Sequence, residues 1–426
     1  MNSSELDVLI KNLIGVVPKY RYVNEFKPDA PYENVYAIVY DGVNYLNKKT
    51  KIFAYLGFPN DLKKEEKRKA IVLVHGGGGH AFLSWVKIWN DLGYIAIAMN
   101  TAGDFPLIKN AWDTERKEDG KTSKRELNGI FEENGYIEIP TTAPLTNGDE
   151  DISCQRYYHY VTSAILASNI LFSLPNVDPL KVGITGISWG GVITSTIIGY
   201  DNRYAFAIPI YGSAYLSESA FEPWKTSFKD EKVRELWASE RNLKNAKMPI
   251  LWLCWNDDCC FSINSNSKSF LATYKNNDRT VYSAVNNMLH SHIDGWKMKE
   301  SYIFAESIVN GGVRLTKIIG DYNSKDINLK LDYDSRVDVE KIKAKLYYLT
   351  EYPSFEQMDK YVYKNTVFSN LTWKTRTLSI NAGVIIGQVP KTAKLFYVEV
   401  ETEINGEKTY TCSPCENYRG KRSVSN

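Results

Sequence analysis

Five short and almost wholly apolar runs constrain the fold of this chain most strongly. They are "KAIVLVH" (69–75), "YIAIAMN" (94–100), "KVGITG" (181–186), "YAFAIPIYG" (204–212) and "MPILWLCW" (248–255). Strands buried on both faces have this composition, and helical stretches separate these runs along the chain. The alternation predicts an α/β fold with a mostly parallel central sheet covered by helices. Two alternating runs before residue 60 predict a hairpin ahead of that sheet.

The last quarter of the chain has a different pattern. From about Gly312 onward, runs such as "INLKLDYD" and "AKLFYVEVETEI" alternate apolar with polar residues and are separated by turn-rich pieces. This pattern predicts an all-β, immunoglobulin-like sandwich over 313–426. We therefore expect three parts, namely an N-terminal helical segment (1–34), an α/β domain (35–312) and the sandwich. Two long polar stretches, near 104–150 and 213–247, predict insertions in the α/β domain.

Charge and composition exclude several classes of function. The 52 basic and 50 acidic residues leave a formal net charge of +2, which gives no field to attract nucleic acid or a membrane surface. No uninterrupted apolar run approaches the length of a membrane span, and the N-terminal stretch carries charges within its apolar pattern. Six cysteines in 426 residues make no disulfide framework. We expect a cytoplasmic protein whose partner is a small molecule without strong charge, with homo-oligomerisation left open.

The stretch "GISWGG" (186–191) lies between a predicted strand and a predicted helix. Gly-x-Ser-x-Gly at such a junction is typical of a nucleophile elbow, in which a tight backbone reversal projects the serine side chain outward. The alternative is that Ser188 merely caps the helix that follows, since serine is a good N-cap. Ser188 is thus a candidate nucleophile.

A serine nucleophile needs a general base, and the sequence offers few histidines. In an elbow of this kind the residues follow the order serine, acid, histidine. Of the five histidines, only His290 and His292 come after Ser188, in the stretch "NNMLHSHIDGW" that follows a strand-like run. We favour His290 because it is followed by the small residue Ser291, and keep His292 as the alternate.

The acid is expected at the end of the preceding strand. There "MPILWLCWNDDCCFS" supplies Asp257 and Asp258 directly after the apolar run. A buried carboxylate beside the imidazole would orient the ring and stabilise the imidazolium. Adjacent aspartates also signal an ordinary turn, so either one alone has a structural explanation.

Consecutive glycines follow the first long buried strand, in "LVHGGGGH" (73–80). Glycines present backbone N–H groups without an obstructing side chain, as an oxyanion hole requires. We predict oxyanion contacts from Gly76 and Gly77 and from the N–H of Trp189, the residue after the nucleophile. The lysine and hydroxyl residues of a phosphate-binding loop do not follow these glycines. No dinucleotide fingerprint is present, and no cluster of Asp, His and Cys with the spacing of a metal site accompanies His290 and His292, so we expect no cofactor and no metal.

Together these motifs resemble the α/β-hydrolases of the dienelactone hydrolase and acetyl xylan esterase type, related to prolyl oligopeptidase catalytic domains. The resemblance spans about 35–310 and implies an α/β-hydrolase fold with a Ser-Asp-His triad. In that family the acid comes from an Asn-Asp pair followed by two residues, an aromatic and a proline. Here Asn256 and Asp257 match the pair, whereas Asp258 has the right distance to Phe261, and Ser262 replaces the proline. We favour Asp258 and keep Asp257 as the alternate.

The resemblance implies a serine carboxylesterase that hydrolyses small acyl esters, in particular acetyl groups on carbohydrate. For a protein that is not exported, we expect the substrate to be a small molecule or an oligosaccharide ester rather than an intact polymer. Trp85, Trp89, Trp189 and Trp296 fall in the motif regions, where each could stack on a sugar or simply pack in the core. One alternative is a serine peptidase of the prolyl oligopeptidase type, which would use the same triad. The other is a non-catalytic binding protein on a hydrolase fold.

Overall fold

A computed structural model describes most of the chain. The described residues are 2–23, 31–101, 139–140, 145–218, 222–258, 260–286, 289–322, 324–351 and 372–417. By their internal contacts they form two compact units, Met1–Pro209 with Ser227–Met248, and Ile210–Thr226 with Pro249–Asn426. Most of the first predicted insertion, near 104–150, lies outside the described residues.

Ten α-helices and seventeen strands are assigned within those described ranges. The helices are α1 (Ser3–Leu13), α2 (Leu83–Asp91), α3 (Arg156–Ser173), α4 (Trp189–Ile197), α5 (Glu222–Ser227), α6 (Glu231–Trp237), α7 (Glu240–Leu243), α8 (Ile263–Thr273), α9 (His292–Trp296) and α10 (Lys299–Val309). The strands are β1 (Tyr20–Tyr22), β2 (Val35–Asp41), β3 (Lys51–Gly57), β4 (Arg68–Val74), β5 (Ile95–Met99), β6 (Val177–Ile187), β7 (Phe206–Ile210), β8 (Leu251–Trp255), β9 (Val281–Val285), β10 (Lys317–Ile319), β11 (Asp326–Asp332), β12 (Lys343–Leu349), β13 (Lys374–Asn381), β14 (Val384–Gln388), β15 (Leu395–Ile404), β16 (Glu407–Cys412) and β17 (Glu416–Asn417).

The first unit contains a sheet in the order β1-β2-β3-β5-β4-β6-β7. Strands β4, β5 and β6 pair in parallel, whereas β1, β2 and β3 join antiparallel at one edge, where the hairpin was predicted. Strand β5 is buried throughout, as its uninterrupted apolar run predicts. Helix α3 packs on β4, β5 and β6, and α2 packs on β5 and β3. This packing is the α/β layering predicted from the sequence.

The second unit continues the parallel pattern. The last residue of β7, Ile210, pairs with Leu253 of β8, and β8 pairs in parallel with β9. Both strands are buried throughout, and α8 packs against them. In this unit, as in the first, the strands lead into residues that were predicted to be part of the active site.

The C-terminal strands form an antiparallel all-β domain, as the alternating pattern predicts. Their order is β10-β11-β14-β13-β12-β15-β16, with β17 paired to β15. Strand β13 changes partner along its length, since Lys374–Leu378 pairs with β12 and Ser379–Asn381 pairs with β14. A strand that passes from one layer to another in this way forms a corner of a sandwich or barrel.

Candidate active site

Ser188 lies where β6 ends and α4 begins. Its backbone has φ 57° and ψ −120°, a conformation that costs a non-glycine residue about 1–3 kcal/mol. Ser188 occupies the N-cap position of α4, yet its side chain makes no capping hydrogen bond. The capping alternative therefore does not explain this serine. Backbone strain held at a strand-to-helix junction is the property that a nucleophile elbow requires.

The two glycines that flank Ser188 are required by close approach of backbone atoms. A Cβ on Gly186 would lie 2.1 Å from the carbonyl oxygen of Gly190. A Cβ on Gly190 would lie 2.0 Å from the carbonyl oxygen of Val74, at the end of β4. Because only glycine fits at both positions, the start of α4 lies directly against the strand that leads into the glycine run.

The glycine run after β4 is held by His75, a contact that sequence reasoning missed. His75 is buried, its Nδ1 donates to the carbonyl oxygen of Gly76 at 2.8 Å, and its Nε2 accepts from the Thr101 N–H at 3.0 Å. This bonding pattern requires a neutral ring protonated on Nδ1. Gly76 is buried and Gly77 is exposed, while Trp189, the first residue of α4, is buried.

Burial lowers the pKa of His75 from 6.5 to about 4, although its bond to Gly76 opposes the shift. Between these two values the unfolded chain binds a proton that the folded chain does not, so stability is lost as the pH falls through this window. Burial lowers the pKa of His80 to about 4 as well, which adds to the same loss. We expect the unfolding temperature to fall from pH 6.5 to pH 4, as measured by circular dichroism.

The variant His75→Asn tests this assignment, because asparagine does not titrate in that range. Its unfolding temperature should depend less steeply on pH than that of the wild type between pH 4 and 6.5. Above pH 7 the two slopes should agree, which provides an internal control. Equal slopes below pH 6.5 would show that His75 does not resist protonation.

The predicted acid and base are in direct contact. His290 Nδ1 lies 2.7 Å from Asp258 Oδ2 and donates to it. The side chain of Asp258 has no exposed surface, and that of His290 is 18% exposed. The second carboxylate oxygen, Oδ1, accepts from the backbone N–H groups of Cys260 and Phe261 at 2.8 and 3.0 Å. Because Asp258 accepts from the Phe261 N–H, the number of residues between them is constrained. This explains why the spacing from Asp258 to Phe261 helps to identify the acid.

Two aromatic side chains flank the His290 ring. The Tyr211 ring lies 4.7 Å from it between centroids, and the Phe261 ring stacks on it at 5.8 Å and 20°. The Tyr211 hydroxyl donates to the carbonyl oxygen of Ser291, the residue after His290. Sequence reasoning missed Tyr211 as a neighbour of the base, although it directly follows β7, at a strand end where such residues are expected.

The alternate acid and the alternate base, Asp257 and His292, have different environments from Asp258 and His290. Asp257 is half-buried, and its Oδ1 accepts from the Trp373 Nε1–H at 2.7 Å. His292 is half-buried and begins α9, a helix capped by the Ser291 hydroxyl, which accepts from the Asp294 N–H at 3.0 Å. The hydrogen bond between an acid and a base that the structure describes in this region is thus between Asp258 and His290.

One group of possible metal ligands occurs among the described residues. A carboxylate oxygen of Asp258, the Cys260 sulfur and a ring nitrogen of His290 lie within 4.8 Å of one another. However, both oxygens of Asp258 already accept hydrogen bonds, one of them from His290. An ion here would have to break the pairing of acid and base.

The four tryptophans considered for sugar stacking are all buried. Their exposed fractions are 1% for Trp85, 1% for Trp89, 4% for Trp189 and 6% for Trp296. Rings buried to this degree act as core residues. The structure therefore favours the packing interpretation for all four.

The fold is similar to those of known proteins. An acetyl xylan esterase from Paenibacillus sp. R4 is 16% identical, with a TM-score of 0.51, over 72% of this chain and 96% of that chain. This likeness shows the α/β-hydrolase fold. The family to which the chain belongs defines its enzyme class, that of a hydrolase, a serine esterase. The chain belongs to the acetyl xylan esterase family, whose sequence model matches residues 10–222, half of the chain.

Two further solved structures are similar. Acetyl xylan esterase 1 from Thermoanaerobacterium sp. JW/SL YS485 is 18% identical, with a TM-score of 0.48, over 72% of this chain and 93% of that chain. The Pyrococcus horikoshii acylaminoacyl peptidase is 18% identical, with a TM-score of 0.42, over 68% of this chain and 41% of that chain. No curated protein matches the sequence. Among the described residues, no helix combines the length and the apolar character needed to cross a bilayer.

Proposed function

We propose that this serine esterase removes small acyl groups, acetyl above all, from carbohydrate esters. Membership of the acetyl xylan esterase family supports the acetyl and carbohydrate parts of the proposal. The observation that carries the catalytic part is the hydrogen bond from His290 Nδ1 to the fully buried Asp258, because a triad needs an imidazole held in one tautomer by a carboxylate.

In this mechanism Ser188 is the nucleophile and His290 is the general base. Asp258 is the carboxylate that orients the His290 ring. The Ser188 oxygen attacks the ester carbonyl carbon while His290 Nε2 takes the hydroxyl proton. The carbonyl oxygen becomes an oxyanion that accepts from the backbone N–H of Trp189 and from those of Gly76 and Gly77.

Three further proton transfers complete the cycle. His290 returns the proton to the departing alcohol oxygen as the carbon–oxygen bond breaks, which leaves an acyl group on Ser188. Water then attacks the acyl carbonyl carbon and gives a proton to His290. His290 passes this proton to the Ser188 oxygen as the bond from that oxygen to the acyl carbon breaks, and acetic acid leaves. Asp258 remains ionised throughout and stabilises the imidazolium. The cytoplasmic location stays a prediction from the sequence, and homo-oligomerisation stays open.

The experiment compares acyl esters with peptide-like substrates. We expect kcat/KM for p-nitrophenyl acetate to exceed that for the butyrate by about tenfold, because two added methylenes do not fit a pocket shaped for acetyl. Acetate should also be released from acetylated xylo-oligosaccharides. Aminoacyl p-nitroanilides serve as the contrasting set. Faster hydrolysis of the anilides would overturn the esterase proposal in favour of a peptidase.

A further inference from the structure

Two asparagines begin the loops that carry the acid and the base. Asn256 directly follows β8 and precedes Asp258 by two residues, while Asn286 directly follows β9 and precedes His290 by four. The Asn256 side-chain amide donates to the side-chain oxygen of Asn286, so the two loops are joined at their start. This pair of side chains therefore links the residues from which the two loops start.

The C-terminal all-β domain supplies that support through Tyr397 of β15. The Tyr397 hydroxyl accepts from the Asn256 amide at 3.2 Å and donates to the Asn286 side-chain oxygen at 3.3 Å. The side chain of Tyr397 is fully buried, and its ring stacks on Tyr347 at 5.0 Å and 3°. A rigid ring thus places one hydroxyl between the starts of both loops.

A second residue of the same strand holds the other side of Asn286. Glu399 is 5% exposed; one carboxylate oxygen accepts from the Asn286 amide at 2.9 Å, and the other accepts from the Tyr347 hydroxyl at 3.2 Å. Asn286 is therefore bonded at its oxygen by Tyr397 and at its nitrogen by Glu399. With both polar ends engaged, the start of the His290 loop has one orientation.

Burial raises the pKa of Glu399 to about 7, although hydrogen bonds from Tyr347 and Asn286 oppose the shift. The titratable groups that face it from its own strand and from β12 and β16 are Lys345, Tyr347, Tyr397, Glu401, Tyr410 and Cys412. A buried carboxyl with a raised pKa destabilises the folded chain as the pH rises from 4.5 to 7. The buried carboxyl of Glu399 is thus unfavourable for stability alone, which is consistent with a role in positioning.

We propose that Tyr397 and Glu399 are positioning residues, through which the C-terminal all-β domain holds Asn256 and Asn286 and thereby aligns Asp258 with His290. The inference rests on the proposed triad and extends it to a domain that the family match, residues 10–222, does not cover. It assigns that domain a role in catalysis that requires no substrate contact. Removal of the Tyr397 hydroxyl should therefore change the reactivity of the site with little change in substrate binding.

The test uses the full chain and a fluorophosphonate probe, which reports on nucleophile activation independently of the natural ester. The variant Tyr397→Phe keeps the ring, and Glu399→Met removes the carboxylate acceptors at similar volume. We expect each to slow labelling, and to lower kcat for p-nitrophenyl acetate, by about tenfold. KM should stay within about twofold of the wild-type value, and the final extent of labelling should remain complete.

Matched variants separate positioning from loss of folded protein. Glu399→Gln should recover most of the rate lost in Glu399→Met, because an amide oxygen still accepts from Asn286. Tyr348→Phe on β12 and Glu403→Gln on β15 lie outside the network and should label at the wild-type rate. The acidic limb of the pH–rate profile should move in Tyr397→Phe, since misalignment of Asp258 weakens its support of the imidazolium. A structural role alone would lower the extent of labelling and leave this limb in place.

Each outcome decides one proposal or both. Wild-type rates in Tyr397→Phe and Glu399→Met would overturn the positioning role. A wild type that is labelled but hydrolyses no acetyl ester would overturn the proposed substrate, while the labelling rates would still decide the positioning role. A wild type that is not labelled would overturn the triad and, with it, the positioning role.

Discussion

The variant Ser188→Ala should lower kcat for p-nitrophenyl acetate by at least about 10⁴-fold, because no other hydroxyl in the elbow replaces the nucleophile. Residual hydrolysis should no longer show a burst, since no acyl-enzyme forms. The measurement is a burst assay with p-nitrophenyl acetate, together with fluorophosphonate labelling, which should be lost.

Ser195→Ala provides the matched control on the same helix. The Ser195 hydroxyl is buried and donates to the carbonyl oxygen of Gly191 at 2.8 Å, so its removal tests the effect of deleting a hydroxyl from α4. Activity should stay within a few-fold of the wild type. If Ser188→Ala retained its burst, another residue would be the nucleophile and the mechanism proposed for this chain would be wrong.

The variant His290→Ala should lower kcat by a similar factor, of about 10⁴ or more, because the residues of a triad act as a unit. His292→Ala is the control, since His292 begins α9 and is not the partner described for Asp258. Its kcat should remain within a few-fold of the wild type. A larger loss in His292→Ala than in His290→Ala would reverse the assignment of the base.

Two aspartate variants distinguish Asp258 from Asp257 as the acid of the triad. Asp258→Asn leaves the side-chain volume intact but removes the charge that orients His290, and we expect a loss of about 10³–10⁴-fold. Asp257→Asn still accepts from the Trp373 indole and should retain activity within a few-fold. Circular dichroism of the two histidine variants and the two aspartate variants would exclude loss of folded protein as the cause of lower activity.

The strands that position the site could be predicted because burial on both faces demands a contiguous apolar run. The run at 248–255 became β8, Leu251–Trp255, and the run at 94–100 became β5, Ile95–Met99. The need for glycine at position 186 was also local, since a Cβ there would meet the carbonyl oxygen of Gly190, four residues further along the chain. Such features are determined by residues that are close together in the sequence.

Other features depend on residues distant in the chain. The spacing to Phe261 favoured Asp258 and the small Ser291 favoured His290, but the sequence does not display that these two side chains form a hydrogen bond across 32 positions. The role of His75 was missed because its partner Thr101 is supplied by a different strand end. The tryptophans were ambiguous because the same motif regions line a surface in one fold and a core in another.

The sequence by itself determined the α/β layering, the all-β C-terminal domain, the elbow around Ser188 and the chain order of the candidate catalytic residues. These follow from periodicity, from the steric freedom of glycine and from the positions of strand ends. Only the tertiary structure decided that His290 pairs with Asp258 and that Tyr397 and Glu399 hold the starts of the two loops. The physical reason is that hydrogen bonds are short and directional, so partners far apart in sequence are set by how the strands pack.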